Sequence, residues 1–172
     1  MNRMNLKQKL LGAAAVFVML SVTDANAQQS SALAVQAEVP AACVIDSAPI
    51  IPMDFGVLNV VAGGDTLRQS DFDWRCSQGT SVIIELSLGL GGGANLTQRI
   101  MTGLLGDTLP YRLEKSDGSD WGDTASGSEF TTTAAGFAAT ETTTIFGIIT
   151  FADSQTAQVD VYQDTVTITL LP

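Results

Sequence analysis

Two cysteines, Cys43 and Cys76, eighteen carboxylates and no histidine are the side chains from which this sequence could build chemistry. Without an imidazole, every Ser-His or Cys-His nucleophilic arrangement is excluded. Two thiols with no histidine also make a poor zinc set, because a structural site wants four tetrahedral ligands, so a Cys43–Cys76 disulfide is the expected pairing. The acids offer two clusters: Asp71 and Asp73 on one strand face, and Asp117, Asp120 and Asp123 around Gly118 and Gly122. An acid pair or a calcium loop can be imagined there. Asp-Gly clusters are, however, ordinary turn material, and the second misses the EF-hand spacing, so both are read as structural. Gly89 to Gly93 lacks the Lys-Ser/Thr ending of a phosphate loop. Trp74 and Trp121 could stack on a sugar, but tryptophan beside a disulfide is commoner in a sandwich core, where both are expected. The chain is therefore expected not to be an enzyme and to use no cofactor or metal.

The compartment that would oxidise the cysteines is legible at the start of the chain. Arg3, Lys7 and Lys9 form a positive region, Leu10 to Leu20 an apolar one, and Ala25-Asn26-Ala27 a small-residue cleavage site. Residues 1–27 are thus expected to be a signal peptide, too short in its apolar run for the ~20 residues of a spanning helix. Its removal takes the formal charge from −10 to −12 and leaves a length suited to one domain. So acidic a surface repels phosphate backbones and anionic headgroups, arguing against nucleic acid and against simple electrostatic membrane binding, and no second long apolar run follows the leader, so no membrane insertion of the mature chain is expected.

The elements that must position these residues have a period of two. Val82, Ile84, Leu86 and Leu88 share one face of Thr80–Leu88, and Tyr162, Val166, Ile168 and Leu170 share one face of the last strand, with Thr165, Thr167 and Thr169 opposite. Further strands are expected at Ala42–Ile45, Asp54–Val61, Thr66–Arg75, Thr108–Glu114, Phe130–Thr133 and Thr142–Phe151, separated by Gly- and Asp-rich turns. Helical periodicity is hard to find, and an all-β sandwich is the expected class. Ahead of Pro40, Leu33, Val35, Ala37 and Val39 alternate with Ala34, Gln36 and Glu38, which reads as one more strand.

With these pieces placed, the chain resembles the spore coat protein U family, which includes secreted pilins of archaic chaperone-usher pili. The resemblance rests on the alternating leader ending at Cys43, MDFG at 53–56, WRCSQG at 74–79, QRIM at 98–101, LPYRLEKSDG at 109–118, WGD at 121–123, IFG at 145–147 and YQDTVTITL at 162–170. Val161 departs from the glycine that members often carry before the terminal tyrosine. The resemblance implies an incomplete immunoglobulin-like sandwich, residues 41–172, that lacks its last strand. It implies that residues 28–40 are a donor strand, with Leu33, Val35, Ala37 and Val39 as plugs, and that Val166, Ile168 and Leu170 help line the acceptor groove. The expected product is a structural subunit of a cell-surface pilus serving adhesion and biofilm formation, exported through the periplasm. Its expected partners are a periplasmic chaperone, an outer-membrane usher, and identical or related pilin subunits in a head-to-tail polymer. A secreted coat protein and a carbohydrate-binding adhesive domain are the alternatives.

Overall fold

The computed structural model describes residues 29–47 and 50–172. The expected signal peptide, 1–27, lies outside the described residues, as does Gln28. The described residues divide into a leading segment, 29–37, and a compact unit, Glu38–Pro172.

Among its described residues that unit holds nine strands and one short helix: β1 (Cys43–Ile45), β2 (Thr66–Cys76), β3 (Ser81–Leu86), β4 (Arg99–Gly103), β5 (Thr108–Glu114), β6 (Phe130–Thr133), β7 (Glu141–Ile149), α1 (Phe151–Thr156), β8 (Tyr162–Gln163) and β9 (Ile168–Leu171). They form two antiparallel sheets, a six-stranded one in the order β1-β2-β7-β5-β4-β8 and a three-stranded one in the order β6-β3-β9. This is the all-β sandwich that the period of two requires. On β2 the residues Ser70, Phe72, Trp74 and Cys76 turn inward, and on β3 Val82, Ile84 and Leu86 are wholly buried. Fully burying side chains of this size stabilises by about 1.5 to 3 kcal/mol each.

Both tryptophans lie in this core, each about 1% exposed. Burial would leave their N–H groups costly to satisfy, and each finds an acceptor: Trp74 Nε1 donates to Thr143 Oγ1 at 2.9 Å and Trp121 Nε1 to the Ile84 carbonyl at 3.0 Å. Cys43 and Cys76 are partners across the β1–β2 ladder and are disulfide-bonded. The bridge closes a separation of 33 residues, so replacing both cysteines by serine is expected to cost about 3 to 4 kcal/mol in the chain-entropy account. A matching drop in the urea midpoint, equal to that of wild type under reducing conditions, checks it.

Three expectations for this unit need correction, and one strand was not foreseen. Asp54–Val61 is not a strand: the Asp54 side chain accepts from Gly56 N–H, and Asn59 Oδ1 accepts from Val61 and Ala62 N–H, so side chains take the donors that a ladder would use. β4 was hidden because a buried arginine, Arg99, opens it and interrupts the apolar alternation. Phe151 begins α1 instead of ending β7, because Thr150 caps it by accepting from Asp153 N–H. The last strand is divided: β8 pairs with β4 in one sheet and β9 with β3 in the other, and residues 164–167 cross between them.

Candidate functional site

The last strand, β9, lies at the edge of its sheet. β9 pairs with β3 on one side only, and β1 closes its own sheet on one side only, so among the described residues each presents an unpaired edge. The two edge strands approach each other. Val166, Ile168 and Leu170 are half-buried and pack against the core from one face, while Thr165, Thr167 and Thr169 are exposed on the other. Beside β8 lies a separate cleft of about 550 Å³ whose lining includes Met53, Phe55, Met101, Leu109, Ile149 and Tyr162. An edge strand with an apolar face and free N–H and C=O groups is what strand addition uses.

Leu33, Val35 and Val39 are 87%, 86% and 84% exposed, and Ala37 is exposed as well. The segment they belong to forms no strand, contrary to the reading of residues 33–39 as one, because alternation alone supplies no partner edge. With Leu33, Val35 and Val39, and the smaller Ala37 between them, all in water, this period-two face is left unburied.

The crossover that delivers β9 to its edge is held by a network that residue-by-residue reading missed. Arg99, wholly buried, donates from Nε to the Ser87 carbonyl at 3.0 Å and from Nη2 to the Trp121 carbonyl at 2.6 Å. Tyr111 Oη donates to Asp164 Oδ2 at 2.6 Å, and Asp164 Oδ1 accepts from Leu90 N–H at 2.7 Å and from Thr165 N–H at 2.7 Å. Ser87 Oγ accepts from Thr167 N–H at 2.9 Å, closing the circuit. The glycine loop serves this site, since a Cβ on Gly89 would overlap the Asp164 carboxylate and one on Gly91 the Ile100 carbonyl. Arg99, Tyr111, Trp121 and Asp164 stand in four separate short motifs of the sequence, QRIM, LPYRL, WGD and YQDTV. The folded chain brings them to one point.

Burial pushes the Arg99 guanidinium below its ordinary value, opposed by the carboxylates of Asp120, Asp164 and Asp123. Tyr111 is pushed up, first by burial and then by its bond to Asp164. A tyrosine whose folded pKa lies above its unfolded one, ordinarily about 10, adds stability that is complete below that pH and is lost as pH rises through the folded value. Unfolding midpoints at pH 8 and above 10 are therefore expected to fall on the alkaline side, and Tyr111→Phe is expected to flatten that fall.

The other acids are engaged locally. Asp71 and Asp73 accept from Thr144 Oγ1 and Thr142 Oγ1 across the β2–β7 ladder. Asp117 caps Ser119 and Asp123 caps Ser126, and these bonds hold both carboxyls below their ordinary range. Arg75 and Asp46 form an exposed ion pair at 2.6 Å that ties β2 to the residue after β1.

Comparison with known proteins agrees with the fold. No curated protein matches. A solved structure that does match is the crystal structure of the CsuC-CsuE chaperone-tip adhesion subunit pre-assembly complex from archaic chaperone-usher Csu pili of Acinetobacter baumannii, at a TM-score of 0.52 and 23% identity. The match covers 77% of this chain and 40% of the matched chain, so this chain spans less than half of that chain's length, and the likeness is one of fold. A family model described as the Spore Coat Protein U domain matches residues 29–169. With that match over most of its length, the chain belongs to the Spore Coat Protein U domain family.

Proposed function

We propose that this protein is a structural subunit of a surface pilus, polymerised when the leading segment of one copy fills the open edge of the next. The observation that carries the reading is the coexistence in one chain of an edge strand with a half-buried apolar face, β9, and an exposed apolar alternation, Leu33 to Val39. Each lacks what the other supplies. The donor contributes N–H and C=O groups to the β9 edge, and its plugs complete the apolar layer over Val166, Ile168 and Leu170. Burying a large aliphatic plug stabilises by about 1.5 to 3 kcal/mol, while ordering each residue's backbone costs about 1 to 2 kcal/mol, so the donor alone roughly breaks even. The recipient adds the surplus by dehydrating its own core. Because donor and acceptor surfaces differ, the contact is heterologous and propagates as a filament.

The same exposed edge would be hazardous during export, which supports a periplasmic chaperone that occupies it first and an outer-membrane usher where the donor replaces it. The solved structure of similar fold is a chaperone-subunit complex, which fits that sequence of events. The matched residues include none of the serine-histidine or cysteine-histidine chemistry of a hydrolase, and adhesion and biofilm formation would follow from the fibre as a whole. The test is electrophoresis of surface material without boiling. A ladder of head-to-tail multimers that collapses to monomer on heating is expected, and its absence from cells exporting the protein would reject the pilus reading in favour of a coat protein.

A further inference from the structure

The strand-addition reading has a geometric consequence for the bodies of neighbouring subunits, and the inference below rests on that reading. β1 runs from Cys43 toward Ile45 with Cys43 opposite Cys76, so the leading segment joins the sandwich at the disulfide end, where Ser77 Oγ donates to the Pro40 carbonyl at 2.9 Å. The same end holds the turn at 77–80 and the β6–β7 loop, through Gly79 N–H to the Ala134 carbonyl and Ala134 N–H to the Thr80 carbonyl, each at 2.9 Å. β9 runs toward this end, since Leu171 pairs with Ile83 and Ile168 with Leu86. The opposite end holds Gly103 beside Tyr162, and the β4–β5 hairpin tip.

Val39 is four residues from Cys43, a reach of at most about 14 Å, so the donor's sandwich must sit against whichever groove end receives Val39. If that were the disulfide end, two disulfide ends would face each other and the acceptor's own leading segment, emerging there, would be covered. Such a pair cannot extend. Only the hairpin end permits the same contact to repeat, and it sets the donor antiparallel to β9, as every other strand pair in this fold is.

The hairpin end is apolar in a way its own fold does not use. Leu104 and Leu105 at the tip are 79% and 78% exposed, and Val57 and Val159 are fully exposed. The tip is fixed in place, since Leu105 N–H donates to Asp160 Oδ2 at 2.8 Å and Gly106 N–H to the Gly103 carbonyl at 3.0 Å. At the disulfide end the β6–β7 loop reads Ala-Ala-Gly-Phe-Ala-Ala, residues 134–139, with Phe137 44% exposed and its carbonyl held by Arg75 Nη1 at 3.1 Å. Strongly acidic bodies repel one another, and at these two ends the charged side chains nearby are engaged locally, Asp160 with Leu105 N–H, Asp107 with Gln158 and Arg75 with Asp46 and the Phe137 carbonyl, so their exposed apolar side chains are the surfaces that can meet at short range.

We propose that the Leu104–Leu105 tip and the adjoining Val57 and Val159 form a second contact between subunits, seated against the Phe137 loop of the next copy of this chain. The groove then supplies the polymer's strength, and the end-to-end contact sets the angle and stiffness between successive subunits.

Cysteine substitutions of the full exported chain, probed with a maleimide, test this: Leu105→Cys, Phe137→Cys and, as an outward-facing control on β2, Gln69→Cys. Each is compared in fibres and in the monomer released by adding Val35→Asp. Leu105→Cys and Phe137→Cys are expected to react in the monomer and to be protected in the fibre, with Gln69→Cys equally reactive in both. Equal reactivity of Leu105→Cys or Phe137→Cys in fibre and monomer, with a normal heat-sensitive ladder, overturns the end-to-end contact while leaving strand addition standing. Absence of any ladder from the otherwise unchanged chain removes the strand-addition reading, and this inference with it.

Discussion

Val35→Asp is expected to abolish the multimer ladder and visible fibres while leaving export of the monomer at its normal level. The monomer should not notice the change, because Val35 is 86% exposed before assembly and a surface substitution away from special features usually alters stability by less than about 0.5 kcal/mol. Assembly should notice it fully. In the filled groove the position faces apolar residues of the neighbour, and an unpaired carboxylate taken out of water there costs several kcal/mol even after relaxation. Each 1.4 kcal/mol is about a factor of ten in an association constant, so such a penalty separates polymer from no polymer. Gln36→Asp, one residue on and directed to the opposite face, should leave the ladder intact, since a strand alternates its sides. Normal fibres from Val35→Asp in electron micrographs would overturn the donor role. Equal loss of fibres from both variants would point instead to the overall charge of the segment.

Arg99→Ala is expected to lower the stability of the sandwich by about 3 to 5 kcal/mol, from the cavity left by a large buried side chain and from the stranded Ser87 and Trp121 carbonyls. That is a large part of the 5 to 15 kcal/mol typical of a domain. Urea unfolding followed by the fluorescence of Trp74 and Trp121 measures it, and the midpoint should shift in proportion. Arg112→Ala is the control: its side chain is 40% exposed in a 3.3 Å ion pair with Glu114, a kind of contact worth about 0 to 1 kcal/mol. The loss should also reach assembly. Ser87 accepts from Thr167 N–H as well as holding Arg99 through its carbonyl, so loosening Arg99 frees the crossover at 164–167 that brings β9 to the groove. Arg99→Lys should recover little, because an ammonium cannot reproduce two divergent guanidinium bonds. A stability change under 1 kcal/mol in Arg99→Ala would show that the network is incidental to the fold.

What the sequence by itself determined was whatever a strand's own two faces determine. β5 and β6 lie at the residues that their alternation marked, β2, β3 and β7 lie within a few residues of theirs, and Thr165, Thr167 and Thr169 face away from Val166, Ile168 and Leu170. The absence of histidine, the pairing of two cysteines and the burial of both tryptophans needed only composition and chemistry. Alternation reports which side of a strand meets a core, and it reports nothing about which strand lies beside it. For that reason the sheet order, the free edge of β9, the division of the last strand and the buried Arg99 at the head of β4 were decided by tertiary structure. Asp54–Val61 shows the same limit from the other side: its apolar spacing suits a strand, but Asp54 and Asn59 satisfy the backbone locally and no ladder forms. Leu33 to Val39 alternates as well as any strand in the chain, yet among the described residues no edge receives it, because pairing is a property of two strands and a sequence displays one at a time.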